Sequence, residues 1–337
     1  MTGRGLGTVA LALSAALLGA ACSVLDTSPA PEATATTTFA AAPPTTTPVT
    51  IVGSPSATTT STTEPGPPRA LITPTGVVVP IRGGAPGAWV VGTPCHGEAT
   101  IEDGGILRGA SVLIDPGHGG DDEPGAVGRG GLQEADLNLD VAWRLAAALE
   151  RRGIDSVLTR PSDYRIAIIA RAEIATALQP DVFISIHHNA GESAVLDVPG
   201  VEVFHQSTSP ESQRLGGIVF EELVDAFERY DIEWYGGPLR GVSARLNGDD
   251  EDLYGVLRRP TGIVTVLSEA MYLSNPLEEQ LLQDPAVRDV EAEALATAIE
   301  RYLATDDPGS GFIETTVFRG DLGSGGSTIG CVDPPLA

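Results

Sequence analysis

Three short stretches hold the residue types that could do chemistry: Asp115-Pro-Gly-His118-Gly-Gly, Ser185-Ile-His187-His188-Asn-Ala and Leu267-Ser-Glu269. Each follows an apolar run that predicts a buried strand. Glu134 opens a helical pattern just after the first. In an open α/β sheet, ligands bind outside the carboxyl ends of the strands. Three strand ends would therefore deliver His118, His187 and Glu269 to one crevice, and a helix start would add Glu134. Two imidazoles and a carboxylate suit zinc, and a spare carboxylate suits general-base work. The expected chemistry is that of a zinc hydrolase.

Each residue also has a plainer reading. The glycines around His118 could form a phosphate loop, but no Gly-Lys-Ser/Thr follows and Gly-x-Gly-x-x-Gly fails at Asp122. Glu134 alone would be an ordinary first-turn acid, stabilised by the free N–H groups and the helix dipole. Neighbouring side chains on a strand face opposite ways. His187 is therefore assigned as the ligand, and His188 as a supporting or substrate-facing residue. Glu269 ends an apolar run and is costly to bury without a partner, which could be a zinc-bound water or an arginine. His-Glu-x-x-His and Gly-x-Ser-x-Gly are absent, and His96 and His205 read as packing or surface residues.

The elements that must position these residues alternate over 111–304. Strands are expected at Ser111–Asp115, Asp155–Thr159, Asp181–Ile186, Val201–His205 and Gly262–Ser268. Helices are expected at Glu134–Arg151, Arg165–Leu178, Ser209–Tyr230 and Pro285–Ala304, with Gly153 as the stop of the first. Apolar strands between amphipathic helices imply an α/β sheet covered on both faces. Residues 71–110 read as a small β-rich extension packed on this domain, and 305–337 as a β-like tail. The stretch 234–260, with Asp249–Asp252, is the longest irregular segment and is expected to rim the site.

Bulk properties bound the rest. Residues 1–22 read as a secretory signal: Arg4, the apolar stretch Leu6–Leu18, then small residues. Cys22 follows at once, as in lipoproteins, so a membrane-anchored or released envelope protein is expected. Residues 23–70, rich in Thr, Pro, Ala and Ser, read as a disordered linker. Cys95 and Cys331 remain for a disulfide, which export permits. Closing so long a loop would stabilise by roughly 5 kcal/mol on the chain-entropy model. The formal charge of −25 argues against nucleic acid. A monomer is expected.

Leu113-Ile-Asp-Pro-Gly-His118-Gly-Gly, the Glu134 helix, Leu158-Thr-Arg160, Arg171-Ala-Glu-Ile-Ala175, Phe183-Ile-Ser-Ile-His187-His-Asn-Ala190 and Val266-Leu-Ser-Glu269 through Leu273-Ser-Asn275 run in order over about 111–304. Together they resemble the zinc-dependent N-acetylmuramoyl-L-alanine amidases of the bacterial cell wall. The resemblance implies a three-layer αβα fold with a mostly parallel six-stranded sheet. It implies His118, Glu134 and His187 as zinc ligands and Glu269 as the catalytic acid/base. The implied reaction cuts the amide between N-acetylmuramic acid and the L-alanine of peptidoglycan stem peptides. Ala270-Met-Tyr departs mildly from the family pattern, and the extension and tail lie outside the resemblance. Two rivals are a peptidoglycan-binding module that does not cut, and a zinc hydrolase of another cell-wall bond.

Overall fold

The computed structural model describes residues 66–191, 195–236, 240–319 and 326–337. The expected signal at 1–22, Cys22 and nearly all of the linker lie outside the described residues.

Five short strands come first: β1 (Ala70–Ile72), β2 (Val78–Ala85), β3 (Ala88–Gly92), β4 (Glu98–Ile101) and β5 (Gly105–Leu107). They form an antiparallel sheet in the order β4-β3-β2-β1-β5. Then follow β6 (Val112–Pro116), α1 (Glu134–Arg151), β7 (Ser156–Leu158), α2 (Ile168–Leu178), β8 (Val182–Asn189), β9 (Val195–Leu196), β10 (Glu202–His205) and α3 (Pro210–Phe227). The chain continues through β11 (Trp234–Tyr235), β12 (Gly241–Ser243), β13 (Arg245–Leu246), α4 (Gly255–Arg258), β14 (Thr265–Tyr272), α5 (Pro276–Leu282), α6 (Pro285–Ala304) and β15 (Thr316–Val317).

The central sheet has six strands in the order β12-β10-β14-β8-β6-β7, and the β10/β14 pair alone is antiparallel. Successive residues of its strands enter opposite cores, as a period of two requires. Ile114, Ile184 and Val266 join the core under α1, α3 and α6. Leu113, Phe183 and Leu267 join the core that holds α2 and residues of α4. Leu71, Val79, Trp89 and Val91 of the N-terminal sheet belong to that second core. The extension thus completes one outer layer of the domain.

Local signals explain most element ends. Leu137, Val141, Leu145 and Leu149 form the buried stripe of α1. The chain leaves this helix through Gly153 at φ +73°, a conformation that suits glycine. Ser209 caps α3 by accepting from Ser212 N, with Pro210 in its first turn. Gln179 ends α2 in the left-handed region just before Pro180.

Several boundaries differ from the sequence expectation. The expected helix from Arg165 begins at Ile168, because Ala167 is extended and its N–H donates to Pro94 O. β8 and β14 run past the expected ends, to Asn189 and Tyr272. The segment 234–260 is not irregular throughout: it carries β11, β12, β13 and α4, and β12 forms an edge of the central sheet. The tail holds one two-residue strand, β15, and residues 320–325 lie outside the described residues. Cys95 and Cys331 are disulfide-bonded.

Candidate metal centre

β6 ends at Pro116, and the chain turns through Gly117 into His118, whose φ of +59° is left-handed. A non-glycine residue in this region is strained, so surrounding contacts must hold it there. Two buried arginines supply them. Arg171 donates to Pro116 O (2.8 Å) and to His118 O (2.7 Å). Arg160 donates to Pro116 O and Gly117 O (both 2.9 Å) and to Ala135 O (2.7 Å). Asp115, also buried, accepts from Thr159, from Ser185 (2.8 Å) and from Arg171 (2.6 Å). Burial alone would raise the Asp115 pKa, but the Arg171 charge and these hydrogen bonds outweigh it and hold the carboxyl below its usual range.

Gly117 is required by a close approach. A Cβ there would lie 2.2 Å from His187 Cε1 and 2.3 Å from His187 Nε2. The His187 ring occupies the space that any side chain at 117 would need.

Glu134 is the first residue of α1 and is buried. Its Oε2 lies 3.2 Å from His118 Nε2, and its Oε1 lies 3.0 Å from His187 Nδ1. The two imidazole rings are 5.0 Å apart at an interplanar angle of 77°. One ligand atom each from His118, Glu134 and His187 fall within 4.8 Å of one another. Two imidazole nitrogens and a carboxylate oxygen are a donor set that a divalent transition metal takes. Among the described residues this is the one such group of three.

Further contacts fix the carboxylate. Oε2 of Glu134 accepts from Ala126 N (2.8 Å), and Oε1 accepts from His188 N (3.2 Å). Burial would raise the Glu134 pKa, yet hydrogen bonds and charge from His118 and His187 hold it well below the usual range. Burial also pushes the His187 ring down, against the pull of Glu134.

Glu269 stands inside β14 rather than at its end, opposite His187 of β8 in the parallel register. Its Oε2 is buried and has no hydrogen-bond partner among the described residues. Burial lifts this carboxyl well above its ordinary range, the charges of Glu134 and Glu202 add to the lift, and Arg245 opposes it. One acid is thus pushed down and its neighbour up, the pattern that separates a ligand or anion from a proton carrier.

All four residues singled out in the sequence line one cavity of about 340 Å³. Leu253, Tyr254 and Val256 form part of its wall, so the 234–260 segment does border the site. His188 does not face the cavity with its ring, which is fully buried between Asn138 Oδ1 (2.8 Å) and Glu291 Oε2 (3.1 Å). His205 is a buried packing residue bonded to Gln206 O, and His96 pairs with Glu173. Sequence reasoning gave no role to Asp115, Asn138, Arg160, Arg171 or Glu291. Arg171 and Glu291 lie within helical patterns, where charged residues read as solvent-facing, and their partners Asp115 and His188 are far away in the chain.

A family model described as N-acetylmuramoyl-L-alanine amidase matches residues 112–301. The N-acetylmuramoyl-L-alanine amidase AmiC of Neisseria meningitidis is 32% identical over 221 residues, covering 58% of this chain and 53% of that protein. This chain therefore spans about half the length of that relative. AmiA of Salmonella typhimurium, of the same name, is 31% identical over 223 residues, covering 57% of this chain and 75% of the relative. The solved structure of Cwp6 from Clostridium difficile superposes with a TM-score of 0.51 at 26% identity, covering 58% of this chain and 29% of that one.

Proposed function

This chain belongs to the N-acetylmuramoyl-L-alanine amidase family, and from that premise we propose that it hydrolyses the amide between N-acetylmuramic acid and L-alanine in peptidoglycan. The observation that carries the reading is the convergence of His118, Glu134 and His187 in one cavity with Glu269, whose Oε2 is buried and has no hydrogen-bond partner among the described residues. His118 Nε2, His187 Nδ1 and a Glu134 oxygen would hold zinc. When bound, zinc with three protein ligands lowers the pKa of water and polarises a carbonyl.

The chain's own residues do the rest. Glu269 is the acid/base: it accepts a proton from the attacking water and returns one to the leaving L-alanine amine. Burial lifts its pKa above the ordinary carboxylate range, which favours taking up a proton. Arg160 and Arg171 hold the His118 loop by its carbonyls, and Ala126 N and His188 N fix the Glu134 carboxylate. Glu134 is committed as an anion and is unsuited to carry the proton. The expected place of action is the cell envelope, reached by export, with the protein either anchored through Cys22 or released.

Glu269→Ala tests the assignment. It should keep bound zinc at the wild-type level and lose turnover by on the order of 10²-fold or more. Metal analysis and product release read the two quantities separately. Wild-type turnover in this variant would remove Glu269 from the reaction.

A further inference from the structure

We propose, building on that reading of the metal centre, that Glu123 is a positioning residue for His118 and that the C-terminal segment Gly326–Cys331 holds Glu123 in place. Nδ1 of His118 is buried and has no hydrogen-bond partner among the described residues. With Nε2 turned to the metal, a neutral imidazole carries its proton on Nδ1, which then needs an acceptor. The carboxylate facing it is Glu123, with Oε1 at 3.9 Å. That is longer than a hydrogen bond, and Glu123 is the carboxylate placed to accept the Nδ1 proton once the ring is fixed on the metal. Glu123 is itself largely sheltered, with 13% of its side chain exposed.

Glu123 is held by the far end of the chain. Gly326 N donates to its Oε1. Its Oε2 lies 3.1 Å from Arg165 Nε, and the same arginine donates through Nη2 to Ser327 O at 2.8 Å. Gly326 O accepts from Ile168 N at 2.9 Å, which seats the segment on the start of α2. Gly326 has φ +68°, and a Cβ there would lie 2.4 Å from the Ile168 side chain, so the fit admits glycine. Gly326 also lines the cavity that holds the metal ligands. Beyond it, Cys331 is bonded to Cys95, Asp333 Oδ1 accepts from Cys95 N (2.7 Å), and Pro335 O accepts from Thr75 Oγ1 (2.6 Å). Contacts therefore run from the disulfide through the tail and Arg165 to Glu123, and from there to a metal ligand. The tail is a distant support of the metal site as well as a staple of the fold.

The test is a chelator competition for zinc on the full chain. It compares wild type, Glu123→Ala, Glu123→Gln, the Cys95→Ser/Cys331→Ser pair, and that pair combined with Glu123→Ala. Melting of each metal-free protein checks folding, and Glu123→Val replaces the alanine variant if that one does not fold. Glu123→Ala should weaken zinc binding by about 10- to 100-fold. Glu123→Gln, which keeps an acceptor oxygen, should recover most of the loss. Breaking the disulfide should weaken binding in the wild-type background and add little once Glu123 is gone. The proposal fails if Glu123→Ala binds zinc like wild type, if Gln is no better than Ala, or if the two losses simply multiply. Wild type that binds no zinc would instead sink the reading of the metal centre, and this proposal with it.

Discussion

Removing the His187 ring and removing the His188 ring should have opposite consequences. His187 Nδ1 meets Glu134 in the ligand cluster, so His187→Ala should release zinc. The His188 ring lies in a closed pair with Glu291. His188→Ala should retain zinc but leave the buried Glu291 carboxyl without its ring partner, at a cost of about 1–3 kcal/mol in stability. Metal content and melting temperature separate the two, and the reverse pattern would overturn the ligand assignment. Gly117→Ala is a steric test of the same site. Its Cβ would overlap the His187 ring, and displacement by about 1 Å should cost on the order of 10²-fold in turnover. A fully active Gly117→Ala enzyme would show that His187 need not stand where it does.

At the scale of elements, β11, β14 and α5 are tied by one buried acid. Glu278, in the first turn of α5, accepts from Tyr235 N (2.5 Å), Tyr272 N (2.8 Å) and Asn275 Nδ2 (3.1 Å). Burial nevertheless pushes its pKa from 4.5 up to about 8. The folded protein therefore holds a proton that the unfolded chain releases. Stability should fall as pH rises between about 4.5 and about 8. Glu278→Gln loses an acceptor and should be less stable at low pH, but this part of the pH slope should vanish. Parallel stability curves for the two proteins would contradict the raised pKa.

Much at this scale was legible in the sequence. The apolar runs leading to His118 and His187 located two central strands, and the stripe Leu137, Val141, Leu145 and Leu149 located α1. The ends of β8 and β14 were not legible. Both strands continue through polar residues that neighbouring strands pair and shelter: Glu202 lies opposite Glu269, and Asn189 pairs with Tyr272. The buried support of the site was equally hidden, because Arg171 meets Asp115 and Glu291 meets His188 only after the sheet has formed.

At the scale of the whole molecule, the parts outside the family match serve the parts within it. The N-terminal sheet supplies Leu71, Val79, Trp89 and Val91 to one of the two cores. The tail is seated by the Cys95–Cys331 bond, and Gly326 reaches the cavity wall. No helix among the described residues is long and apolar enough to cross a membrane. All 20 basic residues are arginine, against 45 acids. Arg160 and Arg171 hold Gly117 O and His118 O of the His118 loop, where rigid guanidinium forks can hold several carbonyls at once.

The central claim is tested most directly by incubating the full chain with purified peptidoglycan, with and without a chelator, and identifying the released fragments by mass spectrometry. The account predicts stem peptides bearing a free N-terminal L-alanine, lost with the chelator and restored by added zinc. Zinc-loaded protein that leaves every stem on its glycan strand, or that instead splits a peptide bond or releases acetate, would contradict it.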